Sequence, residues 1–169
     1  MALESSLRRT QTRQIAYAVV LSALAIALSP LSIPLGIAKV FPGQHFVNVI
    51  AAVLLGPWWG LAIAFVTSLV RNLIGIGTPL AFPGSMVGVV LAGLAFRATG
   101  RVWLAALGEL IGSAVIGATL GALVVAPLIM HKSLAMLTLI LAFLPSVALG
   151  AVLGWFGVRA LRRAGWLEE

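Results

Sequence analysis

Nine polar side chains stand inside one otherwise apolar stretch, Phe41 to Ser85: Gln44, His45, Asn48, Thr67, Ser68, Arg71, Asn72, Thr78 and Ser85. Amides, an imidazole, a guanidinium and hydroxyls are groups that hold a polar small molecule through hydrogen bonds. Gln44 and Asn48 are four residues apart and His45 and Asn48 three apart, so one face of a short helix presents all three. A structural role competes with this reading, since the same groups satisfy the backbone of a loop dipping into lipid. Arg71 is a cation at the end of an apolar run; it either snorkels to water or meets a ligand acceptor. Lys39 has a similar but weaker case, and Ser146 is a further hydroxyl candidate on a late helix.

Bond-breaking chemistry finds no set of residues. The chain has no Asp, and its four acids are Glu4, Glu109, Glu168 and Glu169. It has no paired carboxylates, no His-x-x-x-His, no Gly-rich phosphate loop with Lys and no Ser-His-acid set. We therefore expect no catalysis and no cofactor in this chain. No resident metal is expected either, because His45 has only the distant His131 as a histidine partner and there is no cysteine. Glu109 is the one acid inside an apolar segment, and pairing with Arg97 or Arg101, or with another subunit, is its nearest explanation.

The elements that must position these groups follow from composition. Of 169 residues 62% are hydrophobic and 9% charged, against roughly 25% charged in soluble domains, so most of the chain cannot face water. The expected fold class is an all-α integral membrane protein with six transmembrane helices and a short second span. Residues 1–169 read as one membrane domain: a tail over 1–14, a six-span bundle over 15–163 and a tail over 164–169. The spans fall at about Ile15–Leu35, Gln44–Leu55, Pro57–Ile76, Leu80–Ala98 and Val102–Ala126. The last apolar block, Ser133–Leu161, is divided by Pro145 into a short segment and a final span from about Pro145 to Arg163.

Charge then orients the bundle. Six spans place both ends on one side, with Arg8, Arg9, Arg13, Arg97, Arg101, Arg159, Arg162 and Arg163 against Lys39, Arg71 and Lys132 on the other. The positive-inside rule puts both termini in the cytoplasm, and the five tryptophans fall toward that side. The polar residues of the Phe41–Ser85 stretch then lie on or near the outer side, and a set scattered in sequence becomes a candidate cluster in space. Small residues recur every four positions on several spans (Gly56/Gly60/Ala64/Ser68, Gly84/Gly88/Ala92, Gly108/Gly112), as close helix packing in lipid requires. Ala23 and Ala27 form such a pair on the first span, for packing within the bundle or for docking another membrane protein.

The runs FPGQHFVNVIAAVLLGPWWG and RNLIGIGTPLAFPGSMVG resemble the ThiW family of substrate-binding (S) components of energy-coupling factor (ECF) transporters. The resemblance covers nearly the whole chain, including the short second span, the Ala-x-x-x-Ala of span one and the Gly-Pro turn opening span three. It implies an S-component-like bundle in the plasma membrane of a prokaryote. The cargo would be a thiamin precursor, hydroxyethylthiazole, taken from outside. Partners would be a membrane coupling protein docking at Ala23 and Ala27 and two ATPase subunits that use the ATP. The binding set would be Lys39, Gln44, His45, Asn48, Arg71, Asn72, Thr78, Ser85 and Ser146. Aromatic stacking would come from Phe41, Phe46, Phe82 or Phe143, since the tryptophans lie on the far side. Two alternatives stand beside this: an S component for another small vitamin-like or anionic substrate, and a structural membrane subunit that transports nothing.

Overall fold

The structure, a computed structural model, describes residues 2–31, 33–35 and 38–165, with side chains for 11–31 and 41–165. Six helices form the described architecture: α1 Ala2–Leu28, α2 Gly43–Leu54, α3 Pro57–Leu73, α4 Ala81–Thr99, α5 Val102–Leu128 and α6 Met136–Arg163. Four of them, α1, α4, α5 and α6, are long and apolar enough to cross a membrane.

Two boundaries differ from the sequence expectation. The first helix stops at Leu28 rather than Leu35, and its N-terminal part runs back through the expected tail to Ala2. Ser29 turns its hydroxyl onto the Ala25 carbonyl at 2.6 Å, and Pro30 follows, unable to donate the next helical hydrogen bond. The chain then forms a hairpin: β1 (Ile33–Leu35) pairs antiparallel with β2 (Ala38–Val40), Pro34 opposite Lys39. At the other end, Pro145 does not divide the last block. α6 runs unbroken from Met136 to Arg163 with Pro145 inside it, as membrane helices tolerate when neighbouring groups compensate for the lost donor.

α2 is the hub. Its 12 residues rise only about 18 Å, yet it touches each of the other five helices. Val47, Val49 and Ala51 are fully buried, which is the pattern of a helix apolar all round. Gly56 turns it into α3 with φ 85° and ψ 178°, a conformation L side chains resist, and Pro57 starts the next helix at its first turn. Because α2 is short, about 12 Å of a ~30 Å hydrocarbon core is left unfilled above its N-terminus. The candidate site occupies that space.

The small-residue rows are contact lines inside the bundle. A Cβ on Gly112 would stand 2.6 Å from the Gly88 Cα, and one on Gly117 2.3 Å from the Gly84 Cα. The backbones of α4 and α5 therefore touch, which side chains larger than hydrogen would forbid. Gly150 of α6 is equally tight against the Pro42 carbonyl oxygen, at 2.5 Å, and the His45 Cβ, at 2.6 Å. α5 carries two π-helical stretches, Ile111–Gly117 and Gly121–Val125; the first begins two residues after Glu109 and includes Ser113, whose hydroxyl meets the Gly84 carbonyl of α4 at 2.9 Å.

Candidate substrate pocket

A cavity of about 400 Å³ opens at the end of the bundle opposite the described chain ends, between the start of α2, the end of α3, the start of α4 and the first half of α6. Gln44, His45, Arg71, Thr78, Ser85 and Ser146 line it. Residues from five separate sequence segments thus meet in one space. Phe41 and Phe143 supply its aromatic walls, with Ile76, Ala81 and Ala142 as apolar surface and Gly77 and Gly84 as exposed backbone.

The polar wall is one connected chain of hydrogen bonds. Arg71 Nη1 donates to Gln44 Oε1. Because Arg can only donate, this fixes the Gln44 amide, whose Nε2 then donates to Ser85 Oγ at 2.6 Å and Ser68 Oγ at 3.2 Å. Asn48 Nδ2 donates to the Ser85 hydroxyl at 3.1 Å and to its carbonyl oxygen at 3.3 Å. That carbonyl can only accept, so it fixes the Asn48 amide as well. The same Nδ2 reaches Glu109 Oε1 at 2.9 Å. Glu109 Oε1 further meets His45 Nδ1 at 2.8 Å and the Ser113 hydroxyl at 2.9 Å.

Glu109 overturns its sequence reading. It pairs with neither Arg97 nor Arg101; it is fully buried and bonded to α2 and α5 groups beneath the cavity. The residue counts account for this. Asn48 lies six residues before the end of the short α2 at Leu54, and Glu109 lies seven after the start of α5 at Val102. Both starting points are at the same end of the bundle, so the two side chains share a depth of ~10 Å.

Two nitrogens remain for the cavity. His45 Nε2 has no protein partner among the described residues once Nδ1 is held by Glu109, and His45 lines the space. Arg71 commits Nη1 to Gln44 and buries Nε without a partner, which leaves Nη2. No carboxylate faces this cavity: Glu109 is the one acid among the residues with described side chains, and it is sealed from it.

Other expected residues stand apart. Asn48 is 1% exposed and braces Ser85 and Glu109 from behind. Asn72 shapes the rim, donating to the Ser68 carbonyl at 2.8 Å and the Thr78 carbonyl at 3.2 Å. The Gly77 amide donates back to the Arg71 carbonyl at 2.9 Å, so the 74–80 loop folds over the end of α3. Ser146 lines the cavity and accepts from the Phe41 amide at 3.2 Å. The side chain of Lys39 lies outside the described residues. Of the four phenylalanines, Phe46 packs instead between α1, α2 and α6, and Phe82 stacks on Phe65 with centroids 5.8 Å apart. Ala23 and Ala27 are exposed on the outer face of α1. Ser68, Ser113 and Glu109 stood outside the expected binding set, and all three join its hydrogen-bond network.

A search of curated proteins gives no significant match. Residues 15–164 match the family described as thiamine-precursor transporter protein (ThiW), which is most of the chain. This membrane protein belongs to the ThiW family of thiamine-precursor transporters.

Proposed function

We propose that the protein is the substrate-binding subunit of an ECF-type transporter and that its cavity captures hydroxyethylthiazole. The single observation carrying the cargo reading is the character of the cavity. It sets aromatic Phe41 and Phe143 beside Gln44, His45, Arg71, Ser85 and Ser146, with no carboxylate among the described side chains facing in. A neutral thiazole carrying a hydroxyl has a flat ring for the aromatic walls. Its ring nitrogen and hydroxyl oxygen accept hydrogen bonds from Arg71 Nη2, and its hydroxyl reaches His45 Nε2.

A cation held inside a membrane protein without a carboxylate is costly and is retained where it serves a ligand. Arg71 therefore also favours a second cargo, an anionic derivative of the same ring. Both cargoes differ in charge from the N-alkylated thiazolium of thiamin, which would meet Arg71 with no counter-charge.

Orientation follows from the arginines. Arg97, Arg101, Arg159, Arg162 and Arg163 gather at the end of the bundle that holds the C-terminal end of α6, and the positive-inside rule assigns that end to the cytoplasm. The cavity then opens outward, and delivery requires a coupling protein docked on the exposed Ala23/Ala27 face and two ATPase subunits. Mass spectrometry of small molecules carried through purification tests the reading. A thiazole alcohol or its anionic derivative is the expected passenger, and a protein that neither carries nor binds any thiazole would refute it.

A further inference from the structure

A second polar pocket lies at the opposite end of the bundle, remote from the substrate cavity. It has a volume of about 390 Å³ and is lined by Arg101, Trp103, Trp155, Arg159, Arg162 and Arg163. We propose that it binds the phosphate group of an anionic phospholipid from the surrounding membrane.

Four guanidinium groups from two segments, the α4–α5 turn and the end of α6, converge there. Like charges around one pocket repel, more strongly next to low-dielectric protein and lipid than in water. No carboxylate with a described side chain relieves them, since Glu109 is committed to His45 deeper in the bundle. Topology signals alone would be satisfied by arginines spread into water. Instead, Arg159 lies over the Trp155 ring at 4.8 Å and Arg162 over the Phe96 ring at 5.7 Å. Arg162 Nε is buried with no partner. Two of the four guanidinium groups, those of Arg159 and Arg162, are thus held against aromatic rings, and planar groups placed in this way suit the oxygens of a phosphate.

The surroundings favour a lipid over a soluble anion. Trp103 is 51% exposed at the mouth of the pocket, and one turn along the same face of α5 stands exposed Leu107. On α6, Leu153 and Phe156 are exposed in the same manner. Tryptophan at headgroup level with apolar side chains running away from it is the profile of a membrane interface, and it gives the acyl chains a track leading from the phosphate site.

Native mass spectrometry of the full chain in mild detergent, mixed with phosphatidylglycerol or phosphatidylcholine, tests this. Using the full chain keeps Glu168 and Glu169, which lie outside the described residues, in competition for the arginines. Phosphatidylglycerol adducts should survive delipidation while phosphatidylcholine adducts do not. Arg101→Gln and Arg162→Gln should each lower retention by about fivefold, the value of one basic residue at an anionic surface. Arg162→Lys keeps the charge and should retain most of the lipid; a loss as deep as that of Arg162→Gln would contradict an electrostatic site. Equal adducts with both lipids, or adducts unchanged in the Arg101→Gln/Arg162→Gln variant, would overturn the proposal. So would displacement of phosphatidylglycerol by millimolar inorganic phosphate, which would assign the pocket to a soluble anion. Adducts lost only on adding an acidic protein partner would likewise reassign it, to protein docking.

Discussion

His45 Nδ1 and Glu109 Oε1 lie 2.8 Å apart, joining the first turn of the shortest helix to the first third of α5. This bond sets the imidazole so that its other nitrogen faces the cavity, and it does so from a carboxylate that the cavity never touches. Glu109 is thus a positioning residue, and the pocket depends on an acid outside its own walls.

Glu109→Ala should be among the most destabilising single changes in the chain. It leaves His45 Nδ1 without its partner and takes one of several acceptors from Asn48 and Ser113, which keep Ser85 and the Gly84 carbonyl. Leaving a buried polar group without its partner costs about 1–3 kcal/mol, which for a chain of this size lowers Tm by ~2–12 °C. Glu109→Gln keeps the shape and should lose about half as much. Thermal unfolding in detergent measures both, and an unchanged Tm for Glu109→Ala would show that the network contributes nothing.

Gly88→Ala should damage binding from the scaffold side. The added methyl would fall 2.0 Å from Ser113 Oγ and 2.7 Å from Glu109 Oε2, so α4 and α5 must part or the Glu109 side chain must turn. Overpacking of this kind costs about 1–3 kcal/mol, and the shift should reach His45. Ligand titration beside thermal unfolding checks this. Binding at wild-type strength would mean that the α4–α5 contact does not set the cavity wall.

These two changes mark the limit of what the sequence alone reveals. Apolar runs and prolines locate all six helices, because span length and backbone breaks are local properties. The cluster of Gln44, His45, Arg71, Thr78, Ser85 and Ser146 around one space follows from helix alternation, which brings alternate helix ends together. The placement of Glu109 required a comparison of depths: Asn48 and Glu109 are six and seven residues from the same end of the bundle, and only the short α2 brings His45 down to meet them. The early stop of α1 depended on Ser29 closing onto Ala25 ahead of Pro30, and the continuity of α6 through Pro145 on packing around a missing donor. Neither is visible in hydropathy.

Arg71→Gln should weaken ligand binding by about 10–100-fold, the value of a hydrogen bond to a charged group. Arg71→Lys should not restore it fully, since the guanidinium uses one arm to hold Gln44 while presenting another to the cavity. Equilibrium binding decides the point, and full affinity in Arg71→Gln would remove Arg71 from the site.

Substituting bulky residues for Ala23 and Ala27 should abolish uptake in cells while leaving ligand affinity of the purified protein unchanged. Both alanines are exposed on α1, away from the cavity lining. Loss of binding in the variant would place this face in the bundle's own packing instead of in coupling.

The most direct test of the central claim is a binding titration of the purified protein with hydroxyethylthiazole against its N-methylthiazolium counterpart, which differs by one methyl group and one positive charge. A cavity with Arg71 inside and Glu109 sealed beneath it should bind the neutral ring at least about tenfold more tightly, one charge-assisted contact being exchanged for a repulsion. Tighter binding of the cation would contradict the account.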